Sequence, residues 1–419
     1  GLNASQRRAV DRAVRAADCF LILGPPGSGK TTTVIETIQQ LATAEGSCKI
    51  LVCAPSNVAA DNIVEKLAGR HKDVRVVRLG HVVRLLPSVQ SYALDLQVER
   101  SDGALIVKDI KKDIAQAYKQ MQKLGRREKA QRVALRDETR LLNKELRQKE
   151  SKSVQDVIAH ANVIVCTAVS ARDRYIRNST FDVVVIDEAA QALEPSCWIS
   201  ILRTRKVVLA GDPFQLPPTV LSQKAADQGL GLTLFERLYK KFGDDICQML
   251  DTQYRMHDLI CQWSSTEFYK GRLQCHESVA ARLLTDLDGV QETNETSVPM
   301  VFVDTAGLQF EEQISDEGSK YNDLEAEVVL QYASSIAEAG VHKADMGIIS
   351  PYSAQVALLR ERLEAWGLEE VEVSTVDGFQ GREKEVIILS LVRSNIEGEV
   401  GFLVDQRRLN VAITRARRH

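Results

Sequence analysis

The sequence predicts an α/β protein of two tandem domains, each built on a parallel sheet, with a helical insertion in the first. Three observations carry that expectation. Short, continuous Val/Ile/Leu-rich runs recur along the chain, and fully apolar strands of this length belong to parallel sheets covered on both faces. The runs are spaced by helix-like stretches and fall into two sets, as two α/β units require. The first run leads directly into a glycine-rich loop and then a helix, the opening unit of a phosphate-binding α/β domain.

The first set of runs is Cys19–Leu23, Ile50–Ala54, Val163–Thr167, Val183–Ile186 and Val207–Ala210, with a helix-like stretch over Thr31–Ala44. The texture changes between the second and third runs, where residues 83–152 hold no strand-like segment. Lys108 to Lys152 carries 15 Lys/Arg against 7 Asp/Glu, a local sum of +8. Leu105, Ile110, Ile114, Tyr118 and Met121 recur at helical spacing, and a second helical phase after Arg126 runs through Val133, Leu141, Leu142 and Leu146. This predicts two long antiparallel helices hinged near Gly125, inserted between the second and third strands. Lys108, Lys111 and Lys112 are candidates for contact with a polyanion there. A solvated, partnerless charged helix pair is the alternative. The second set of runs is Met300–Asp304, Met346–Ser350, Val371–Thr375 and Val386–Val392. An acidic stretch, Gln309–Asp323, reads as a surface loop before a helix containing Glu325–Ala339. The boundaries expected are 1–82 with 153–248 for the first domain, 83–152 for the insertion and 249–419 for the second domain.

Composition excludes several classes. Apolar residues are 44% and charged residues 26% of the 419, an ordinary globular profile that rules out disorder and collagen-like repeats. The formal net charge of −3 excludes a uniformly basic nucleic-acid coat, though not a locally basic stripe. No apolar run approaches the roughly 20 residues a membrane helix needs, so no membrane partner is expected. The eight cysteines are scattered, with no Cys-x-x-Cys pair and no zinc-ligand spacing. They read as reduced, mostly buried thiols, which implies a reducing compartment, cytoplasm or nucleus. The chain does not begin with Met and stops abruptly at His419, and it reads as a piece of something longer.

The stretch Gly24-Pro25-Pro26-Gly27-Ser28-Gly29-Lys30-Thr31 fits G-x-x-x-x-G-K-[ST] and sits between a strand and a helix, with Thr32 following. Its glycines let successive backbone N–H groups point into one concavity, and the helix N-terminus adds partial positive charge. Lys30 supplies a point charge for phosphates and Thr31 a hydroxyl ligand for Mg²⁺. The run Val183–Ile186 ends in Asp187 and Glu188, two carboxylates at a strand terminus. Asp187 suits Mg²⁺, which prefers one or two carboxylates and keeps several waters. Glu188 suits polarisation of an attacking water. ATP with Mg²⁺ is the nucleotide expected.

Further segments follow in a fixed series. Asp187-Glu188-Ala189-Ala190-Gln191 precedes Gly211-Asp212-Pro213-Phe214-Gln215, then Gln253-Tyr254-Arg255-Met256-His257, then Val376-Asp377-Gly378-Phe379-Gln380-Gly381-Arg382-Glu383. Arg408-Leu409-Asn410-Val411-Ala412-Ile413-Thr414-Arg415-Ala416-Arg417 comes last in the series. In this order the chain resembles a superfamily-one helicase of the up-frameshift and senataxin-like branch, nearest its immunoglobulin-mu-binding group, over essentially its whole length. The resemblance implies two RecA-like P-loop NTPase domains facing each other across the nucleotide, with the insertion as a helical stalk. It implies that Gln6 reads the adenine edge, Tyr254 stacks on the base, Gln215 senses the terminal phosphate and Glu383 bonds the ribose. Arg255 and Arg415 then act as charge stabilisers from the second domain. It also implies a nucleic-acid face at Pro55, Ser56, Asn57 and Thr167 in the first domain, and at Pro351, Tyr352, Ser374 and Thr375 in the second.

The activity implied is ATP-driven 5′-to-3′ movement on single-stranded RNA or DNA by a monomeric motor. Ribosome-associated or ribonucleoprotein partners are implied by the resemblance alone. An ATP-gated nucleic-acid clamp or RNA–protein remodelling factor with little unwinding is the second reading.

Overall fold

The computed structural model describes residues 1–43, 48–68, 74–125 and 128–419. Its larger sheet comprises β1 (Cys19–Leu23), β2 (Ile50–Ala54), β3 (Val76–Arg78), β4 (Val163–Thr167), β5 (Val183–Ile186), β6 (Lys206–Gly211) and β7 (Cys247–Met249). The strand order is β3-β4-β2-β5-β6-β1-β7, and the ladder is parallel throughout. Alternate residues of a strand point to opposite faces, and both faces are apolar here. Leu21, Leu51, Ile164 and Val184 enter one core, while Ile22, Ile50, Val163 and Val185 enter the other. A strand apolar on both faces must be covered by helices on both. This order also sets β1, β5 and β6 near one another, so the loops leaving their carboxyl ends meet at one edge.

The smaller unit follows. β8 (Thr252–Gln253) and β9 (Gln274–Cys275) form a short parallel ladder, and β10 (Gln313–Ile314) pairs antiparallel with β11 (Lys320–Tyr321). The main sheet of this unit is parallel, with β12 (Met346–Ser350) between β13 (Glu372–Thr375) and β14 (Val386–Leu389). Its core is built by Leu330, Ala333 and Ile336 of the helix Asp323–Glu338 against Met346, Ile348 and Val386.

Several expectations change. The run Met300–Asp304 is in no strand, and Phe302 is 83% exposed. A hydrophobic run becomes a strand only where a neighbour takes its backbone hydrogen bonds, and among the described residues no strand pairs with it. The acidic stretch Gln309–Asp323 carries the β10–β11 hairpin instead of an open loop, and the helix after it is capped by Asn322, whose side chain accepts from Glu325 N. The insertion falls between β3 and β4, the third and fourth strands, because β3 is itself a strand. The boundary expected at 248/249 lies within β7. Beyond it the helix Asp258–Tyr269 buries Ile260, Cys261 and Tyr269 in the core of the larger unit, beside Phe235 and Met249.

The insertion is a pair of helices, Gly103–Lys123 and Lys129–His160. Lys111 pairs with Glu150 at 2.8 Å, and Tyr118 shares a groove with Asn143; the two helices are therefore antiparallel. Arg126 lies outside the described residues, between the two helices. Ile110 and Ala117 are buried, but Leu105, Tyr118, Val133 and Leu141 are exposed, so the helical spacing marks the helices without marking one sealed seam. All eight cysteines are free, with Cys53 and Cys166 on neighbouring strands at an Sγ–Sγ distance of 3.9 Å. Among the described residues no helix is long and apolar enough to cross a membrane.

β3 depends on one buried ion pair. Arg78 is fully buried, and its Nε donates to Asp61 at 2.7 Å. Its Nη2 donates to Asn57 Oδ1 at 3.0 Å, and a further nitrogen donates to Leu79 O. The other Asp61 oxygen accepts from Leu86 N at 2.9 Å. This network ties the helix Asn57–Ala68 to β3 and to the entry of the insertion. Removing one partner strands the other charge in the interior. Asp61→Ala should lower stability by about 3–5 kcal/mol, read by urea unfolding. A change under about 1 kcal/mol, the scale of an exposed pair, would show the pair to be solvated.

Candidate nucleotide site and nucleic-acid face

The phosphate loop leaves β1 and runs into the helix Lys30–Thr43. Gly27 and Gly29 have φ of +71° and +76°, backbone that only glycine adopts without strain. A Cβ on Gly29 would lie 2.6 Å from Gln6 Nε2, and one on Gly27 would lie 2.7 Å from Arg255 Cβ. The loop is therefore both left-handed and closely overlaid, a concavity shaped from backbone. Ser28 is buried beneath it, with Oγ donating to Pro25 O at 2.7 Å.

The neighbouring strand ends complete one cavity of about 780 Å³ between the two units. From the larger unit come Gly24, Pro25, Pro26, Gly27, Gly29, Lys30, Thr31, Thr32, Asp187, Glu188 and Gln215. Tyr254 and Arg255 join them, and Glu383 and Arg415 arrive from the far side. Lys30 Nζ lies 2.6 Å from Glu188 and 4.0 Å from Asp187. Burial works to lower the Lys30 pKa, but the two carboxylates outweigh it and hold it above its usual value. Burial pushes Asp187 up to about 6, aided by Glu188 and opposed by Lys30. A buried carboxylate this reluctant to ionise is short of positive charge. Asp187 with the Thr31 hydroxyl, open to bound phosphate and water, fits a Mg²⁺ ion's preference for few protein ligands.

Glu188 has φ +53° and ψ +36°. A left-handed non-glycine residue carries strain of about 1–3 kcal/mol and is held there only by its surroundings. Gln191 Nε2 donates to its second oxygen at 2.8 Å, so Lys30 and Gln191 fix the carboxylate from two sides. Gln215 is held by its Nε2 donating to Asp212 Oδ2 at 2.6 Å, and Tyr269 Oη donates to the same oxygen at 2.7 Å. Asp212 is buried, and burial raises its pKa against these hydrogen bonds. It organises the site, yet the sequence reading passed it over. The signal was present, since it ends an apolar strand as Asp187 does. Lys66 and Arg382 also line the cavity, and nothing in their spacing announced it.

Arg255 overlies the phosphate loop, and Arg415 meets the site from the other side. Arg415 is buried; its Nε donates to Val411 O at 2.9 Å, and its Nη2 reaches Gln215 Oε1 at 3.4 Å and Thr414 Oγ1 at 3.3 Å. Among the described residues it makes no ion pair. Burial lowers its pKa, and the Arg255 cation lowers it further. Arg255 is bound by Glu383 through Nε and donates Nη1 to Thr414 O at 3.0 Å.

Two of the expected residues are engaged within the protein. Gln6 does not offer its amide to the cavity. Its Oε1 accepts from Asn3 N at 2.9 Å, closing a capping box, and its Nε2 donates to Ser28 O at 3.0 Å; it props the phosphate loop. Glu383 lines the cavity, with its carboxylate engaged by Arg255 and by Arg417 at 2.8 Å, and it braces both arginines. Tyr254 lines the cavity, its ring tilted 32° against that of His276 with centroids 4.7 Å apart, and its Oη accepts from Asn3 Nδ2 at 3.0 Å.

The candidate nucleic-acid residues sit at the carboxyl ends of parallel strands, in neighbouring pairs. Pro55, Ser56 and Asn57 follow β2, whose last residue Ala54 registers with Thr167 at the end of β4. Pro351 and Tyr352 follow β12, whose Ser350 registers with Thr375, preceded by Ser374, at the end of β13. Thr167 Oγ1 bonds Ser170 Oγ at 2.8 Å. Ser56 also lines the nucleotide cavity, and the Asn57 oxygen is committed to Arg78.

A family model described as an AAA domain matches residues 1–223, and a second, also described as an AAA domain, matches 230–419. The chain is 48% identical over its whole length to DNA-binding protein SMUBP-2 of Mesocricetus auratus, of which it covers 42%. It is 44% identical to DNA polymerase alpha-associated DNA helicase A of Schizosaccharomyces pombe, covering all of this chain and 62% of that one. It is 38% identical to a Regulator of nonsense transcripts 1 homolog of Neurospora crassa, covering 99% of this chain and 36% of the relative. The chain thus spans less than two thirds of each relative.

Lys30→Ala should weaken ATP affinity by roughly 10- to 100-fold, the loss of one charge-assisted contact of about 1.5–3 kcal/mol. Titration of a fluorescent ATP analogue measures it. Parent-like affinity in the variant would move the phosphates away from Lys30.

Proposed function

The chain belongs to the AAA-domain family, within the superfamily-one helicases of the up-frameshift and senataxin-like branch, and on that premise we propose that it is an ATP-dependent helicase or translocase. It acts on single-stranded RNA or DNA, moves 5′ to 3′ as the branch it resembles implies, and works as a monomer in nucleus or cytoplasm. One observation carries the reading: Lys30, Asp187, Glu188 and Arg255 face Arg415 of the second unit across one cavity. Such a site is complete only when the two units are together, so the state of the nucleotide is coupled to their spacing.

The chain's own groups divide the chemistry. Loop N–H groups and Lys30 hold the phosphates of ATP. Thr31 and Asp187 would hold Mg²⁺, which when bound neutralises charge on the phosphate oxygens. Glu188, fixed by Lys30 and Gln191, accepts a proton from the attacking water, and Gln215 orients that water from its anchor on Asp212. Arg415 and Arg255 present planar guanidinium groups to the charge that develops on the transferred phosphoryl group. A catalytic arginine contributed in cis contributes orders of magnitude in rate in related enzymes. It also argues for a single chain over a ring in which a neighbouring subunit supplies that arginine. The paired strand ends after β2 and β4, and at β12 and β13, supply two grips on a strand. Backbone-directed contacts of this kind read little sequence.

ATP turnover should rise when single-stranded nucleic acid is added, and a duplex with a 5′ overhang should be unwound. Glu188→Gln should keep ATP bound while turnover falls by about 10²–10⁴. Turnover indifferent to strand would sink the motor assignment. Strand-stimulated turnover with no displacement would favour the nucleotide-gated clamp. A Glu188→Gln protein as active as the parent would remove Glu188 from the chemistry.

A further inference from the structure

The charge of the insertion is arranged differently from its sequence sum. Lys111 and Lys112 are neutralised within the helix pair, by Glu150 at 2.8 Å and Asp109 at 3.1 Å. Lys108, Lys119 and Lys123 of the first helix make no ion pair among the described residues, and the helix Lys129–His160 carries a regular row of further cations. Arg132, Arg136, Arg140 and Lys144 follow one another at steps of four, which places them on one face about 6 Å apart along the axis. All four are exposed. Arg132 gives its Nη2 to Leu124 O at 2.6 Å. Arg136, Arg140 and Lys144 have no ion pair or hydrogen bond among the described residues.

A groove of about 640 Å³ runs between the two helices on this side. Arg132, Arg136 and Arg140 line it together with Tyr118, Thr139 and Asn143. No carboxylate lines it, whereas the groove on the other side of the pair takes Glu138. Tyr118 is 52% exposed, an uncovered ring between cations. A small anion calls for converging cations; cations spaced evenly along a line fit a polyanion of regular charge. Guanidinium forks suit phosphate oxygens, and an exposed ring in a basic groove is a sequence-tolerant platform for a base.

We propose that this groove is a second nucleic-acid-binding surface, which takes the phosphodiester backbone of single strand lying outside the interdomain cleft and stacks one base on Tyr118. The proposal rests on the reading of the chain as a single-strand motor. The Asn143 amide gives one N–H to Thr139 O, and its second N–H is a neutral donor beside the phosphates. The insertion then lengthens the footprint of the protein on its strand without touching the nucleotide.

The test uses the full chain, its Arg136→Gln/Arg140→Gln double variant and Tyr118→Ala. Fluorescence anisotropy would follow strands of about 8 and about 40 nucleotides across a salt series. On the long strand the double variant should bind roughly tenfold more weakly, and the slope of log affinity against log salt should shrink by about 1.4, two single-strand contacts of about 0.7 each. Tyr118→Ala should weaken long-strand binding with the slope unchanged. Short-strand affinity and strand-free ATP turnover should match the parent for both variants. A double variant that keeps the parent's long-strand affinity and slope, or that loses as much on the short strand, would overturn the groove while leaving the motor standing. A parent that bound neither strand would overturn both.

Discussion

Arg415 is a buried cation whose hydrogen-bond partners are all neutral: a main-chain carbonyl, the Gln215 amide and the Thr414 hydroxyl. Taking a charge out of water costs several kcal/mol unless an opposite charge repays it. Arg255 beside it already has Glu383, and Lys30 already has Glu188. The cleft therefore contains one guanidinium without its own counter-charge, a second that repels it, and a carboxylate, Asp187, held up near 6 by burial. A polyphosphate with a divalent cation would supply both missing charges at once, the anion to the arginines and the cation to Asp187. The fold accepts the cost of an incomplete site because the ligand completes it.

The topology explains why these charges can be gathered at all. In a parallel sheet every strand leaves at the same edge, and the order places β1 beside β6 and β6 beside β5. The phosphate loop, Asp187-Glu188 and Asp212–Gln215 are then three consecutive exits. The neighbouring exits of β2 and β4 carry Ser56 and Thr167, one strand further along the same edge. The residues proposed for nucleotide and for strand are thus adjacent teeth of one comb. Ser56, which lines the nucleotide cavity while following β2, lies where the two groups of contacts touch.

Much of this was legible from the chain. β1, β2, β4, β5 and β12 are unbroken apolar runs with the bounds read from the sequence, because burial on both faces leaves no polar position to confuse the pattern. β3 was hidden by Arg78, which is neutral in effect only because Asp61, 17 positions earlier, reaches it through the fold. Met300–Asp304 failed in the opposite direction, since its composition suits a strand but among the described residues no strand pairs with it. The phosphate loop was visible as a motif, and Asp187 and Glu188 as a strand ending. The left-handed turn of Glu188, the use of Gln6 as a prop and the duty of Glu383 towards two arginines depend on residues distant in sequence. Charge in the insertion shows the same limit. A sum of +8 is a property of sequence, but whether a given cation is free depends on the facing helix, which silences Lys111 and leaves Arg136 bare.

The two units also share a small apolar contact, in which Leu216 of the larger unit packs among Ile349, Val376, Phe379, Val411 and Ala412 of the smaller. Its position matters more than its size. Leu216 is the residue after Gln215, and Ala412 lies one helical turn before Arg415. The polar pair Gln215–Arg415 and the apolar cluster are therefore two sides of one joint. Packed cores are bistable more than they are continuously deformable, so a shift of Leu216 against Val411 and Ala412 cannot leave the 3.4 Å contact between Gln215 and Arg415 as it is. The reverse holds as well: an anion that draws Arg415 away from Gln215 pulls on the same packing. β12 and β13 carry Pro351 and Thr375 at their ends and bury Ile349 and Val376 in or beside this joint. One layer of side chains therefore separates Gln215 and Arg415 from the carboxyl ends of β12 and β13.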